Sequence, residues 1–526
     1  MTTSLPRATR PATAPVVVVG AGPVGSAAAL LLADRGVPVT VLDRYAEPYP
    51  LPRAVHLDDE VLRIVDDLGV VDGFLARSRP ASGLRLLDAQ HRVMGEFTRS
   101  AEESSQGYAE ANMFDQPDLE ELLRARLVAH PLVSLRTRRD VTAVSGLGAA
   151  AAPGAAGTVT ARDLDSGAEE QLPASYVLGC DGANSTVRDL LGVEMEDLGF
   201  TEQWLVIDVV ADRDLDVWDG VEQVCDPARA ATFMQLVGRR YRFEFQLVGD
   251  ETAEDLTAPA VLAGLLRPWT GRDDLDGLEV VRQATYTFKA RLASRWRDGR
   301  VFLLGDAAHL TPPFIGQGLG AGLRDAHNLA WKVASVAAGA PPELLDSYEE
   351  ERRPHARALV KKAVVVGWAM TGGQDRAAAV RRVAIAVLCR VPGFTGTVID
   401  TTTPRLRGGV ALGSARVAGA LVPNAVVADA VVADAAGEGQ RLDAALGHRV
   451  GVVTTADAPL AVRRAAEAAG LPVVVADGLP RRLRRAARRG LLVRPDGVVA
   501  EVGTAGVARG AGWVLPAPAP SSAQAS

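Results

Sequence analysis

The stretch "VVVVGAGPVGSAAALLLADRGVPVTVLDR", Val16 to Arg44, decides the fold. It opens like an address label: Arg7 and Arg10 precede it, and no charge lies between Pro11 and Ala33. A basic start before an apolar run is how secretory signals and membrane anchors begin. The internal spacing argues for something else. Four consecutive valines are β-branched and favour a buried strand. Gly20, Gly22 and Gly25 follow as G-x-G-x-x-G, with Pro23 and Val24 inside the motif. Ser26 to Arg35 reads as an Ala/Leu-rich helix stopped by Gly36, and "VPVTVLDR" as a second strand ending in Asp43. Strand, glycine turn, helix, strand and acidic residue make a dinucleotide-binding βαβ unit. Gly20 makes the turn, Gly22 lets the backbone approach a pyrophosphate, and Gly25 lets helix and strand pack. Amide N–H groups at the positive end of the helix receive the pyrophosphate, and Asp43 is placed to accept from a ribose.

Bulk properties narrow the class. A chain of 526 residues with 48% hydrophobic content can bury a large core and divides into about three domains. A net charge of −7 gives no reason to expect a nucleic-acid partner. Cys180, Cys225 and Cys389 are far apart with no CxxC, and the seven histidines show no HExxH spacing, so neither a disulfide framework nor a metal site is expected. No other apolar run approaches membrane length. A soluble, reduced, cytoplasmic protein is the expectation.

Along the chain, Thr/Pro/Arg/Ala-rich residues 1–14 and "PAPAPSSAQAS" at 516–526 read as disordered tails. "SGLGAAAAPGAAG" (145–157) reads as a loop between two strands of one domain. "TEQWLVIDVVAD" (201–212), "TFMQLVGRRYRFEFQLVG" (232–249) and "LEVVRQATYTFKARLA" (278–293) alternate with period two. They predict an antiparallel sheet inserted between nucleotide-binding parts. A long helix is expected from about Leu323 to Gly339. "HRVGVVTT", "PLAVRRAAEAAG", "LPVVVADG" and "GLLVRPDGVVAEVG" then read as strand, helix, strand and hairpin of a small terminal α/β domain. The arginine-rich "RRLRRAARR" (481–489) reads as a solvated helix face.

A lone GxGxxG cannot separate one dinucleotide from another, but two further stretches can. "VLGCDGANSTVRDLLG" (177–192) is a strand into an Asp181-Gly182 turn, with Ser185 and Arg188 in the next helix. "RVFLLGDAAHLTPPFIGQGLGAGLRDAHNLAWKV" (300–333) is a strand ending in Gly305-Asp306, a Pro-rich turn and a Gly-rich loop opening a helix. In this order the three fingerprints resemble those of class A flavoprotein aromatic hydroxylases, FAD monooxygenases with the para-hydroxybenzoate hydroxylase fold. "LPRAVHLDDEVLRIVDDLGV" (51–70) and "FDQPDLEELLRARL" (114–127) are similar to the 3-(3-hydroxyphenyl)propionate and polyketide hydroxylase branch. The implied fold is α/β: a GxGxxG-type FAD-binding Rossmann-like domain (15–195 and 295–400), an inserted antiparallel-sheet substrate domain (196–294) and a C-terminal degenerate thioredoxin-like domain (405–515). No cysteine follows Cys389, so that last domain has no thiol-exchange centre.

The resemblance implies non-covalent FAD, with NADH or NADPH as co-substrate and O2 and a small aromatic molecule as the other partners. A homodimer is compatible with it. Gly20, Gly22 and Gly25 would hold the pyrophosphate. Asp43 would hold the ribose, where the family commonly carries the longer Glu. Arg44, Arg53 and Gln116 match residues around the diphosphate and ribityl chain, Asp306 matches a ribityl acceptor, and Asp181 belongs to a dual FAD and nicotinamide motif. Amides of Gln317, Gly318 and Leu319 would meet the flavin pyrimidine edge at a positive helix end. The implied reaction is hydroxylation of a phenol through a C4a-hydroperoxyflavin. Pro313 and Phe314 are expected in the pocket floor. On the strand from Arg240, the face of Tyr241 and Phe243 is expected toward substrate, and that of Arg242 and Glu244 away from it. His309 is expected to be structural and Trp331 to be packing. Other readings of the fold are an oxidative decarboxylase, a halogenase, whose WxWxIP signature is absent, and a non-catalytic binding protein.

Overall fold

The computed structural model describes residues 14–48, 53–151, 156–371, 404–409, 412–424, 429–431, 440–504, 506–507 and 511–513. Residues 1–13 of the expected tail at 1–14, all of the expected tail at 516–526 and Cys389 lie outside the described residues. Val16–Val19 is the centre of a six-stranded sheet, flanked by Tyr176–Gly179 and Val39–Leu42. Val301–Leu303 and Val133–Arg136 lie outside these, all parallel, and the short Arg297–Asp298 closes one edge in the antiparallel sense. All four valines are buried, which is why the run is continuous rather than alternating. The first helix, Pro23–Asp34, packs over this sheet and against the long helix Gly318–Ala337.

That long helix begins five residues before the expected Leu323. Gly318, Gly320 and Gly322 are poor helix formers, but tertiary packing overrides them. A Cβ on Gly322 would stand 2.6 Å from Val24 Cγ2 and 3.1 Å from the Gly305 Cα. Close approach of helix, glycine turn and first helix therefore requires a residue without a side chain.

The second sheet has eight strands. Its centre pairs Met195–Ala211 with Leu278–Ala293 on one side and Arg240–Gln246 on the other. The bounds expected for it, 196–294, are too narrow, because Gly83–Leu87 and Val93–Thr98 join its far edge. The first of these runs parallel to Val221–Val224, a long-range pairing that local alternation cannot reveal. One face of the sheet packs on helices Ala253–Thr257 and Pro259–Thr270 through Phe233, Tyr241, Phe243, Phe245 and Trp269. The other faces the nucleotide-binding part.

In the C-terminal part a five-stranded sheet runs in the order Asp429–Val431, Val473–Val475, Gly451–Thr454, Leu491–Val493, Val499–Val502. The central pair is parallel and the last two strands form the expected hairpin. Among the described residues no helix is long and apolar enough to cross a membrane.

Candidate active site

One cavity of about 1050 Å³ runs between the two large sheets. At one end it is lined by Gly20, Gly22, Pro23, Val24, Asp43, Arg44, Arg53, Gln116 and Asp181, and along its length by Asp306, Gln317, Gly318 and Leu319. Gly25 and Gly305 stand behind this wall. A Cβ on Gly25 would lie 1.9 Å from the Gly20 carbonyl oxygen, so only hydrogen fits where helix meets strand. A Cβ on Gly22 would meet nothing within 4 Å, because it would project into the cradle itself. Gly22 caps the first helix with no side-chain hydrogen bond and Pro23 follows it, leaving a helix end suited to an anion.

Polar side chains around this end are already oriented. Asp43 accepts from the Ala21 N–H (2.6 Å) and the Tyr45 N–H (2.7 Å). Arg44 donates to Asp140 and Thr186. Gln116 accepts from the Ala54 N–H and donates to Glu120, which burial pushes above the usual carboxylate range. Asp181 accepts from the Ser185 hydroxyl and the Val187 N–H (3.0 Å). Arg188 is buried and donates to the carbonyls of Ala183 and Ala307. It thereby ties the Asp181-Gly182 turn to the Gly305-Asp306 turn. Asp306 opens onto the cavity, yet the surrounding protein desolvates its carboxyl and raises it, against the pull of His309 and Arg53.

Three positioning acids escaped the motif reading. Asp325 accepts from the Gly305 N–H (3.1 Å), meets His309 Nε2 (2.7 Å) and accepts from Arg352 Nε (2.8 Å). It fixes the second glycine turn, and His309, stacked on Trp296, is part of that support. Asp58 accepts from Gln317 Nε2 (2.9 Å) and Arg324 Nη2 (2.9 Å), and caps helix Asp59–Asp67 through the Val61 N–H. Burial raises the Asp58 carboxyl, but Arg324 overcomes it and holds the group below its ordinary value. Glu60 completes the cluster on Arg324 at 3.0 Å. The signal was present: charged residues in the otherwise apolar "GLRDAHNLAWKV" and in "RAVHLDDE".

The far end of the cavity is the work of the eight-stranded sheet. Phe314 packs against Phe200, Trp204 and Phe288 with ring centroids 5.5, 5.6 and 6.2 Å apart. Gln223 Nε2 donates to the Phe314 carbonyl (2.9 Å). Pro313, Phe314 and Phe288 line the cavity, as do Gln223, Thr232, Met234, Arg242, Glu244, Arg282 and Tyr286. The expected facing of the strand from Arg240 is thus reversed. Tyr241 and Phe243 point into the helix-covered core, with the Tyr241 hydroxyl accepting from the Leu215 N–H. Arg242 and Glu244 face the cavity because Asp208 neutralises Arg242, at 2.6 and 3.0 Å, and lets a charged face be buried. Among the described residues no group of side chains could hold a metal ion.

Comparison with known proteins agrees with this geometry. A family model described as "FAD binding domain" matches residues 13–363. A Rhodococcus jostii (strain RHA1) protein named "Probable NADH-specific resorcinol 4-hydroxylase" is 36% identical over 375 residues, 71% of this chain and 69% of that one. A "3-(3-hydroxy-phenyl)propionate/3-hydroxycinnamic acid hydroxylase" of Mycobacterium sp. (strain KMS) is 37% identical over 389 residues, 73% of this chain and 65% of that one. The matched stretch thus spans about two thirds of the relatives' length, just under it in the second case. Among solved structures, anhydrotetracycline hydroxylase from Streptomyces rimosus is 27% identical with a TM-score of 0.73, covering 96% of this chain and 100% of that one. The uncapped helix end, the open cradle at Gly22 and the anchored Asp43 fit FAD. The chain belongs to the FAD-dependent aromatic hydroxylases.

Proposed function

We propose that this chain is a monooxygenase that hydroxylates a phenolic ring at the expense of a reduced nicotinamide and O2. The observation that carries the reading is the continuity of one cavity from the Gly20–Gly25 cradle to the aromatic wall at Phe288 and Phe314. Bound FAD supplies the redox chemistry between nicotinamide and oxygen. The chain binds and orients. Gly22 and the first-helix amides take the pyrophosphate, Asp43 the adenosine ribose, and Arg44, Arg53, Gln116 and Asp306 the diphosphate and ribityl chain. Asp181, on the cavity wall, would serve both FAD and nicotinamide. The uncapped start of helix Gly318–Ala337, pinned through Gln317 to Asp58, offers its positive end to the flavin pyrimidine edge. Phe288 and Phe314 cover the substrate ring and keep water from it. The name of the Rhodococcus relative supports NADH as the reductant, and a cytoplasmic setting supplies it.

The test is a panel of phenols, resorcinol and 3-(3-hydroxyphenyl)propionate among them, scored for stimulated NADH oxidation and then turned over under ¹⁸O2. One labelled oxygen is expected in the product, ortho or para to the existing hydroxyl. A substrate that drives flavin cycling yet gains no label overturns the reading, and label entering with release of CO2 makes the enzyme an oxidative decarboxylase.

A further inference from the structure

Glu244 has no part in the scheme so far. It lies on strand Arg240–Gln246 between Val206 and Thr232 of the neighbouring strands, and it is only 7% exposed, that remainder facing the cavity. The cations that flank it are committed elsewhere. Arg242 binds Asp208 twice and donates from Nη1 to the Arg53 carbonyl (2.9 Å). Arg282 binds Asp208 at 3.3 Å and the Tyr286 hydroxyl. Among the described residues no donor is placed on the Glu244 carboxyl. A buried carboxyl without a hydrogen-bond partner requires an explanation, and a ligand hydroxyl provides one. The ring wall of Phe288 and Phe314 belongs to the same cavity, as does Tyr286.

We propose that Glu244 is the catalytic residue that accepts the proton of the phenolic hydroxyl, a role that rests on the hydroxylase reading above. The phenol O–H bond breaks, its proton forms a new O–H bond on the Glu244 carboxylate, and the electron pair stays on the phenolate oxygen. That pair enriches the ortho and para ring carbons, and the proton returns to the oxygen before product leaves. The groups facing Glu244 set its basicity. Burial acts most strongly, Arg242 and Arg282 oppose it, and Asp208 adds to it, so that the carboxyl is pushed up to about 7. A base is most effective when it titrates near the working pH. Asp208 cannot substitute, because both its oxygens are occupied by guanidinium groups.

The experiment compares the wild-type holoenzyme with Glu244→Gln and Glu244→Asp, using a phenol that stimulates NADH oxidation in the wild type. Product-forming kcat/KM of the wild type is expected to rise with pH through a limb near 7. Glu244→Gln is expected to lose that limb and ~10²–10⁴-fold in rate with flavin content unchanged, and Glu244→Asp to recover part of both. Binding of 4-nitrophenol gives a second readout. The wild type is expected to hold its yellow phenolate at a pH where the free molecule is neutral, and Glu244→Gln to hold the neutral form. A Glu244→Gln enzyme with the wild-type rate and pH limb overturns the proposal. If that variant does not fold, nitrophenol bound in neutral form by the wild type at every pH overturns it instead. A wild type that no phenol stimulates overturns the hydroxylase reading and not the assignment of the base alone.

Discussion

Gly22 and Gly25, just after the first strand, have opposite reasons to be glycine, and mutation separates them. Gly22→Val adds a side chain to open space at an ordinary φ of −65°. The variant is expected to fold, melt near the wild-type temperature and purify without flavin. Normal absorbance near 450 nm per chain would sink the cradle assignment. Gly25→Ala instead drives a methyl into the Gly20 carbonyl. It is expected to destabilise the fold by about 1–3 kcal/mol or more, visible as a lowered melting temperature in the absence of any ligand. Asp306 belongs at the same scale. Its side chain meets the open cavity, so Asp306→Ala leaves no protein partner unpaired. The expected effect is on cofactor affinity alone, ~1.5–3 kcal/mol for one hydrogen bond to a charged group, read from the flavin dissociation constant.

At the scale of elements, periodicity and spacing recovered the strands and the glycine turns, because each is a local pattern. What it could not recover is which side of an element meets the cavity. The strand Arg240–Gln246 has both faces buried, so the usual rule, aromatic inside and charged outside, has no outside to apply to. Asp208, some thirty residues away in sequence, decides the matter by neutralising Arg242. The same holds for the long helix, where Arg324 and Asp325 are buried in an apolar sequence because their partners come from 58–60, 309 and 352. Long-range ion pairs of this kind are invisible to a window of eleven or eighteen residues. They are also exposed to mutation. Arg324→Met removes the cation that holds Asp58 and leaves a buried carboxylate beside Glu60, at a cost of about 3–5 kcal/mol. Asp58 is held below its unfolded value, so its pairing stabilises the fold above that value and the benefit fades as pH falls through it. The gap between wild type and Arg324→Met in urea denaturation is therefore expected to be wide at pH 7 and to narrow in acid. A gap that stays constant from pH 7 to pH 3 would mean the pair contributes nothing ionic.

On the whole-molecule scale the C-terminal sheet is bound to the nucleotide-binding part by buried charge. Arg494 bridges Glu351 (2.9 Å twice) and Asp496, Lys332 meets the same Glu351 at 3.0 Å, and Trp331 lies under the Arg494 guanidinium at 5.2 Å, which gives that indole its packing role. Arg63 binds Asp443 through two nitrogens. A titratable contact sits at the rim of this interface. His448 Nδ1 lies 2.9 Å from Asp67 Oδ1, and Asp67 also binds Arg35 and His327. Burial disfavours a charged His448, yet Asp67 prevails and the imidazole is pushed up to about 9. A group whose folded value exceeds its unfolded one stabilises fully below the unfolded value and ceases to do so above the folded one. The window here is therefore pH 6.5 to about 9. The side chain is 32% exposed, so solvent screening reduces the contribution to about 1–2 kcal/mol. His448 also occupies the left-handed region at φ 50°, a cost that does not titrate. The stability difference between wild type and His448→Gln in chemical denaturation is expected to fall by that 1–2 kcal/mol between pH 6 and pH 10 and to leave a constant remainder. Opening of the interface should follow the same curve, with protease cleavage at 440–454 appearing in the wild type only as pH rises toward 9. A difference that is flat across this range would take His448 out of the docking and leave it to the buried bridges of Arg494, Lys332 and Arg63.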